Sequence, residues 1–232
     1  MRILGIIPAR SGSKGVTGKN TKLLNGKPLM EYTTEIAVKS NCFTELIVST
    51  DDEKISDIAK KLGVNVPFLR PTELAQDKTP TIDVIVHALQ WYESQNIFFD
   101  AVCLLQVTSP FRTVEFLDKV IKKFVENDSD SLVSVQKVPH EYNPHWTFEL
   151  NEEGNLKIAT GETEIISRRQ ELPTAYFRDG SIYITKTDVI LNQNSLYGNN
   201  ISYIESDPEL YVNIDTSEDW EKAEMMAKKL KL

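Results

Sequence analysis

The chain has 232 residues, 41% of them hydrophobic, and a formal net charge of −8. That length can bury a core as one domain with room for an appended lobe, and the acidic balance argues against a general nucleic-acid binder. Cys42 and Cys103 are the only cysteines, so no disulfide framework is expected and a cytoplasmic setting fits. No apolar run is long enough to cross a bilayer, so no membrane partner is expected.

In chain order, Ile3 to Ile7 is an unbroken apolar run, as expected of a central parallel strand covered on both faces. Met1 to Gly5 leads straight into it, so no signal peptide is expected. The strand opens into Ala9-Arg10-Ser11-Gly12-Ser13-Lys14-Gly15, closed by Lys19-Asn20. Glycines and serines let backbone N–H groups turn toward one anion at the carboxyl end of a strand. Arg10, Lys14, Lys19 and Lys22 supply positive charge. The stretch matches neither GxxxxGK[ST] nor GxGxxG, and the next apolar helix starts only near Pro28, which disfavours an ATPase loop or a dinucleotide fold.

Further on, a helix over Leu29 to Lys39 precedes a strand over Glu45 to Ser49, and Asp51 or Asp52 caps a helix running to Leu62. A strand over Val64 to Leu69, a helix from about Thr81 to Ser94, a strand over Ala101 to Gln106 and a helix from about Val114 to Glu126 follow. From about Gln136 to Tyr176 the pattern changes: Pro139, Pro144, Trp146 and the turn signal Asn151-Glu152-Glu153-Gly154 leave few helical periods. Ser181 to Thr185, Ile201 to Ile204 and Tyr211 to Ile214 read as late strands, and Ser217-Glu218-Asp219 starts a terminal helix. This series predicts an α/β protein, a Rossmann-like, doubly wound, mostly parallel sheet forming a single domain over residues 1–232, with an inserted lobe at 136–178.

The loop IIPARSGSKGVTGKN resembles the signature of the CMP-nonulosonate synthetases, the acylneuraminate cytidylyltransferases. LRPTELAQDKTPT (Leu69 to Thr81), LLQVTSPFRT (Leu104 to Thr113), RRQELP (Arg168 to Pro173) and NIDTSEDW (Asn213 to Trp220) fall in that family's order and rough spacing. The resemblance implies a nucleotidyltransferase-type fold and the activation of a nonulosonic acid sugar with CTP, giving CMP-sugar and pyrophosphate. It implies that Arg10, Ser13 and Lys14 neutralise the β- and γ-phosphates, and that Lys19 and Asn20 contact the α-phosphate and the sugar side. Arg70 and Thr81, with backbone atoms of Ala9, match the base and ribose contacts; Arg70 reads alternatively as a surface ion-pair partner. Gln106 matches a sugar-contacting glutamine. Arg169, with Gln170 and Arg168, resembles a carboxylate-binding group supplied by the partner subunit of a homodimer. Asp179 falls where family members often carry Asn before Gly, and Arg178 is displaced by one position from an expected arginine.

Phosphoryl chemistry on a polyanion calls for Mg²⁺ with oxygen ligands, and Asn213 with Asp215 is the candidate pair, two residues apart on one strand face. The sialic acid enzymes usually carry aspartate at both positions, so Asn213 removes one charge and keeps a carbonyl ligand. Asp215 reads alternatively as the cap of the terminal helix, and the general base is open between Asp215 and a metal-bound water. Where neuraminate-using relatives show HPLKT, this chain has Asn143-Pro144-His145-Trp146-Thr147. The Trp146 ring suits the less polar flank of a legionaminic-type acid, or fills a dimer core. His87, His140 and His145 read as packing or hydrogen-bonding residues. The alternatives are a CMP-Kdo-type synthetase, against which the SGSKG loop and RRQELP argue, and a noncatalytic nucleotide-binding protein of the same fold, suggested by Asn213 alone.

Overall fold

A computed structural model describes residues 1–12 and 15–232. The elements are β1 (Ile3–Pro8), β2 (Leu23–Leu24), β3 (Lys27–Pro28), α1 (Leu29–Ser40), β4 (Glu45–Ser49), α2 (Glu53–Lys61), α3 (Thr81–Ser94) and β5 (Ala101–Leu105). They continue with α4 (Val114–Glu126), β6 (Ser131–Lys137), β7 (Phe148–Leu150), β8 (Leu156–Ile158), β9 (Tyr176–Lys186), α5 (Thr187–Gln193), β10 (Ile201–Glu205) and α6 (Ser217–Leu230).

Six strands form one sheet in the order β10-β6-β9-β5-β1-β4. The sheet is parallel apart from β9, which runs antiparallel to both β5 and β6. The side-chain period of two sends β1 into both layers. Leu4 and Ile6 join Ile85, Ala88 and Leu89 of α3 on one face, while Ile3 and Ile7 join α1, α4 and α6 residues on the other, among them Met30, Phe124 and Ala223. β1 and β5 are buried on both faces and carry apolar residues and one glycine only, which is why they are legible as continuous runs. Gly5 sits where a Cβ would come within 2.8 Å of the Phe43 ring, so strand and ring pack in direct contact.

Several expectations need correction. Val64 to Leu69 forms no named strand but only isolated bridges, Ile47 to Asn65 and Thr50 to Leu69. Pro67 lies in its middle and removes a ladder donor. Tyr211 to Ile214 is likewise not a strand, although the Ile214 amide donates to the Thr108 carbonyl at 2.9 Å. The missed strand β6 carries Ser131 and Ser134, both fully buried, which broke its apolar pattern. Ser134 sits at a register shift and its hydroxyl donates to Asp179 Oδ1. Of the two capping candidates, Asp52 caps α2, accepting from the Lys54 and Ile55 amides.

Between β6 and β9 the chain leaves the sheet and forms the β7–β8 hairpin and short 3-10 turns. Within this excursion Trp146 donates its Nε1–H to the Ile166 carbonyl at 2.6 Å and lies edge-on to His140. His145 pairs with Glu162 at 2.7 Å. His87 packs its ring edge against Phe68 with centroids 4.7 Å apart. Among the described residues no helix is long and apolar enough to cross a membrane.

Candidate active site

The carboxyl ends of β1, β4 and β5 meet along one edge of the sheet, and a cleft of about 390 Å³ opens there. Open α/β sheets gather their ligands at this edge because loops diverge there. Arg10, Lys19, Asn20, Arg70, Thr81, Gln106 and Asp215 all contribute to its wall. Residues almost the full length of the chain apart are thus brought together.

The first wall is the loop after β1. The Ala9 amide donates to the Ser49 carbonyl, which carries the chain past the end of the sheet before it turns, and Ala9 itself is fully buried. The buried Asn20 side chain donates to the Arg10 carbonyl at 2.9 Å and so ties the two ends of the loop together. Gly15 is needed for close approach: a Cβ there would lie 1.7 Å from the Asp215 carbonyl oxygen. Backbone therefore packs directly on backbone where the loop crosses Asp215. Ser13 and Lys14 lie outside the described residues.

The second wall holds the basic groups. The Arg10 guanidinium pairs with Asp77 at 2.7 Å and donates to the Ala75 carbonyl, which links the loop to the segment after Arg70. Arg70 is not a surface ion-pair partner. It is 5% exposed, its backbone amide donates to Thr50, and its nearest carboxylate, Asp51, is 3.9 Å away. Arg70 Nε and Nη2 are buried with no hydrogen-bond partner among the described residues. Burial lowers the Arg70 pKa and Arg10 adds to the fall, while Asp51 opposes it. A buried guanidinium with two nitrogens left without hydrogen bonds is costly unless a ligand completes it.

Asp51 has a separate task. Its carboxylate accepts from the Ser11 amide at 2.9 Å and the Ser11 hydroxyl at 2.6 Å. Burial alone would raise the Asp51 pKa, but these Ser11 bonds and the Arg70 charge hold it below the ordinary carboxylate value. Asp51 thereby fixes the start of the loop in front of Arg70.

The third wall is the segment before α6. Lys19 Nζ donates to the Ile214 carbonyl at 2.6 Å and approaches Asp215 Oδ1 at 3.3 Å. Asn213 Nδ2 donates to Asp215 Oδ2 at 2.7 Å, so the two side chains meet even though their segment is not a strand. Asp215 is not the helix cap. Thr216 is, in a capping box with Asp219.

Other candidates lie elsewhere. Arg169 and Gln170 sit on an exposed 3-10 turn and do not reach the wall of the cleft within one protomer. Asp179 is 2% exposed, and its oxygens accept from the Ser134 and Ser206 hydroxyls and the Ser181 amide. Its side chain is held in the fold, outside this cleft. Arg178 donates to the Tyr197 hydroxyl at 2.8 Å. Sequence reading missed Thr79, Asp77, Val107 and Thr108, which complete the wall. It also missed the buried Arg112, whose guanidinium donates to the Gln106 and Ser109 carbonyls and holds the β5–α4 turn in place. The only signal was an arginine directly after an apolar Ser-Pro-Phe turn.

The cleft combines cations, a glycine-tight anion loop and one open carboxylate at a strand edge, which suits the handling of a nucleoside triphosphate. The chain belongs to the cytidylyltransferase family, whose model matches residues 4–231. It is 38% identical to the CMP-N,N'-diacetyllegionaminic acid synthase of Legionella pneumophila, over 97% of this chain and 96% of that protein. It is 34% identical to the pseudaminic acid cytidylyltransferase of Campylobacter jejuni, over 98% and 97% of the two chains. Within the family its place is thus among the CMP-nonulosonate synthetases, and it is a nucleotidyltransferase. The fold is shared with a CTP-bound CMP-2-keto-3-deoxy-manno-octonic acid synthetase at a TM-score of 0.72, 19% identity and 99% and 100% coverage.

Proposed function

We propose that the protein activates a legionaminic-type nine-carbon α-keto acid with CTP in this cleft. The anomeric 2-hydroxyl oxygen attacks the α-phosphorus, the bond from that phosphorus to the bridging oxygen of the β-phosphate breaks, and pyrophosphate leaves. Asp215, the carboxylate open to the cleft, accepts the hydroxyl proton. Arg10, released from Asp77, stabilises the pyrophosphate charge together with Ser13 and Lys14. Lys19 and Asn20 serve the α-phosphate, and Arg70 with Thr81 and the Ala9 backbone serves the cytidine. Gln106 orients the acceptor. Catalysis is then mostly positioning and charge neutralisation.

The observation that carries this reading is the buried Arg70 fork, two of whose nitrogens lack partners and which lies beside the loop that Asp51 and Asn20 hold in shape. The acceptor class is supported by the 38% identity to a legionaminic acid synthase over nearly both full lengths.

Asp215 would hold Mg²⁺, a hard cation that takes one or two protein oxygens and shares substrate phosphates, and Asn213 would join it by turning over its amide, whose Nδ2 faces Asp215 in this structure. Among the described residues no three His, Cys, Asp or Glu side chains converge on a metal position, so such an ion would depend on the nucleotide for further ligands. When bound it would neutralise phosphate charge.

The segment 136–178 serves in this proposal as a dimerisation lobe. Leu150 and Leu156, paired across the β7–β8 ladder, are each about 70% exposed there and offer apolar surface for a partner subunit to cover. Arg169 and Gln170 would reach the acceptor from the partner subunit. A cytoplasmic site accords with two unpaired cysteines. The test is Mg²⁺-dependent pyrophosphate release from CTP with legionaminic, pseudaminic, neuraminic and Kdo acids offered in parallel. Turnover fastest with the legionaminic acid is expected; turnover with Kdo alone, or with none, overturns the proposal.

A further inference from the structure

A second cavity, of about 380 Å³, shares no wall residue with the cleft. It lies between the first turn of α4, the start of β9 and the chain from Glu205 to Val212. Phe116, Leu210 and Val212 supply apolar wall. Two polar groups in the wall are buried and incomplete. Arg112 is 6% exposed and spends Nε on the Ser181 hydroxyl and Nη2 on the Gln106 and Ser109 carbonyls. Its Nη1 has no partner among the described residues, and neither has Ser109 Oγ, in a residue 7% exposed.

A donor left bare at this depth costs free energy that an oxygen acceptor would recover. The charge of the wall selects the kind of acceptor. Arg112 and Lys119 are outnumbered by Glu115, Asp179, Glu205 and Asp207, so a further carboxylate would meet net repulsion. The Asp179 oxygens are already occupied by serine and amide donors and leave Nη1 unbonded.

We propose that this cavity is a second ligand site, distinct from the nucleotide cleft, that takes a small neutral amide. The carbonyl oxygen accepts from Arg112 Nη1 and Ser109 Oγ, and the apolar body of the amide lies on Phe116, Leu210 and Val212.

The probe is benzamide, with benzoate as its anionic counterpart, titrated into the isotope-labelled full chain with and without saturating CTP. Benzamide is expected to shift the Arg112 Nε–H and the Ser109, Leu210 and Val212 amide signals saturably, equally well with CTP bound, and benzoate to bind more weakly. Leu210→Trp, which fills the cavity, is expected to abolish the shifts. Ser109→Ala removes a hydroxyl that has no partner to lose, so it should fold normally and weaken benzamide roughly two- to tenfold. The proposal fails if benzamide gives no saturable shift, as it would if a second copy of the chain filled the cavity. It fails equally if CTP displaces the probe, if benzoate binds as well, or if Leu210→Trp binds unchanged.

Discussion

Asp179 and Asp215 are both carboxylates near the carboxyl edge of one sheet, yet their surroundings are opposite. Asp179 is 2% exposed, and each of its oxygens accepts from donors in β6, β9 or Ser206. The Asp215 side chain is 62% exposed and, among the described residues, its oxygens meet Lys19 and Asn213 at the edge of the cleft. A carboxylate whose oxygens are all met inside the fold fixes strand register; one with capacity to spare at a cleft can meet a ligand. Residue type does not separate them, but donor accounting does.

That contrast is open to attack by mutation. Asp215→Ala is expected to cut the rate of pyrophosphate release about 1,000-fold, in the range of a lost acid–base group, while thermal melting stays where it was. Loss of folding without loss of rate per folded molecule would reverse the assignment. Asp179→Ala should do the opposite. It strands the Ser134 and Ser206 hydroxyls and the Ser181 amide and removes the charge nearest Arg112, costing about 3 kcal/mol in urea unfolding.

Smaller changes sharpen the comparison. Arg70→Lys keeps a charge but not the planar fork. The KM for CTP should rise roughly tenfold or more, the value of charged hydrogen bonds, with kcat changed less. Asn213→Asp places a second carboxylate beside Asp215, so Mn²⁺ binding measured by electron paramagnetic resonance should tighten a few-fold, since ligand charge tunes such sites.

The smallest effect concerns pH. Ser11 helps hold the Asp51 pKa below its unfolded value, near 3.9. Asp51 therefore adds stability that is fully present above that value and is lost as pH falls through the lower, folded pKa. Ser11→Ala should shrink that contribution, so stability measured by denaturant falls less steeply below about pH 4 than in the parent. An unchanged slope would detach Asp51 from the loop.

Apolar runs such as Ile3 to Ile7 and Ala101 to Leu105 made the core strands legible, because burial on both faces leaves no polar position to interrupt them. Strand β6 escaped because its buried serines answer partners elsewhere in the fold, Ser134 holding Asp179 and the β9 backbone and Ser131 the Tyr197 carbonyl, a reason visible only once those segments lie beside it. The proline inside Val64 to Leu69 was the opposite lesson, since periodicity survived there while a donor was missing. At the cleft, Arg10, Lys19, Asn20, Arg70 and Asp215 could be picked out from their local motifs. The burial of Arg70 and the structural anchoring of Arg112 depend on contacts across the fold that no local motif encodes.

The most direct measurement is a crystal structure with CTP and Mg²⁺. The triphosphate is expected in the loop from Arg10 to Asn20, with hydrogen bonds from Arg70 to the nucleotide and Asp215 facing the α-phosphate. A nucleotide bound elsewhere, or one that leaves Arg70 Nε and Nη2 without partners, would contradict this arrangement.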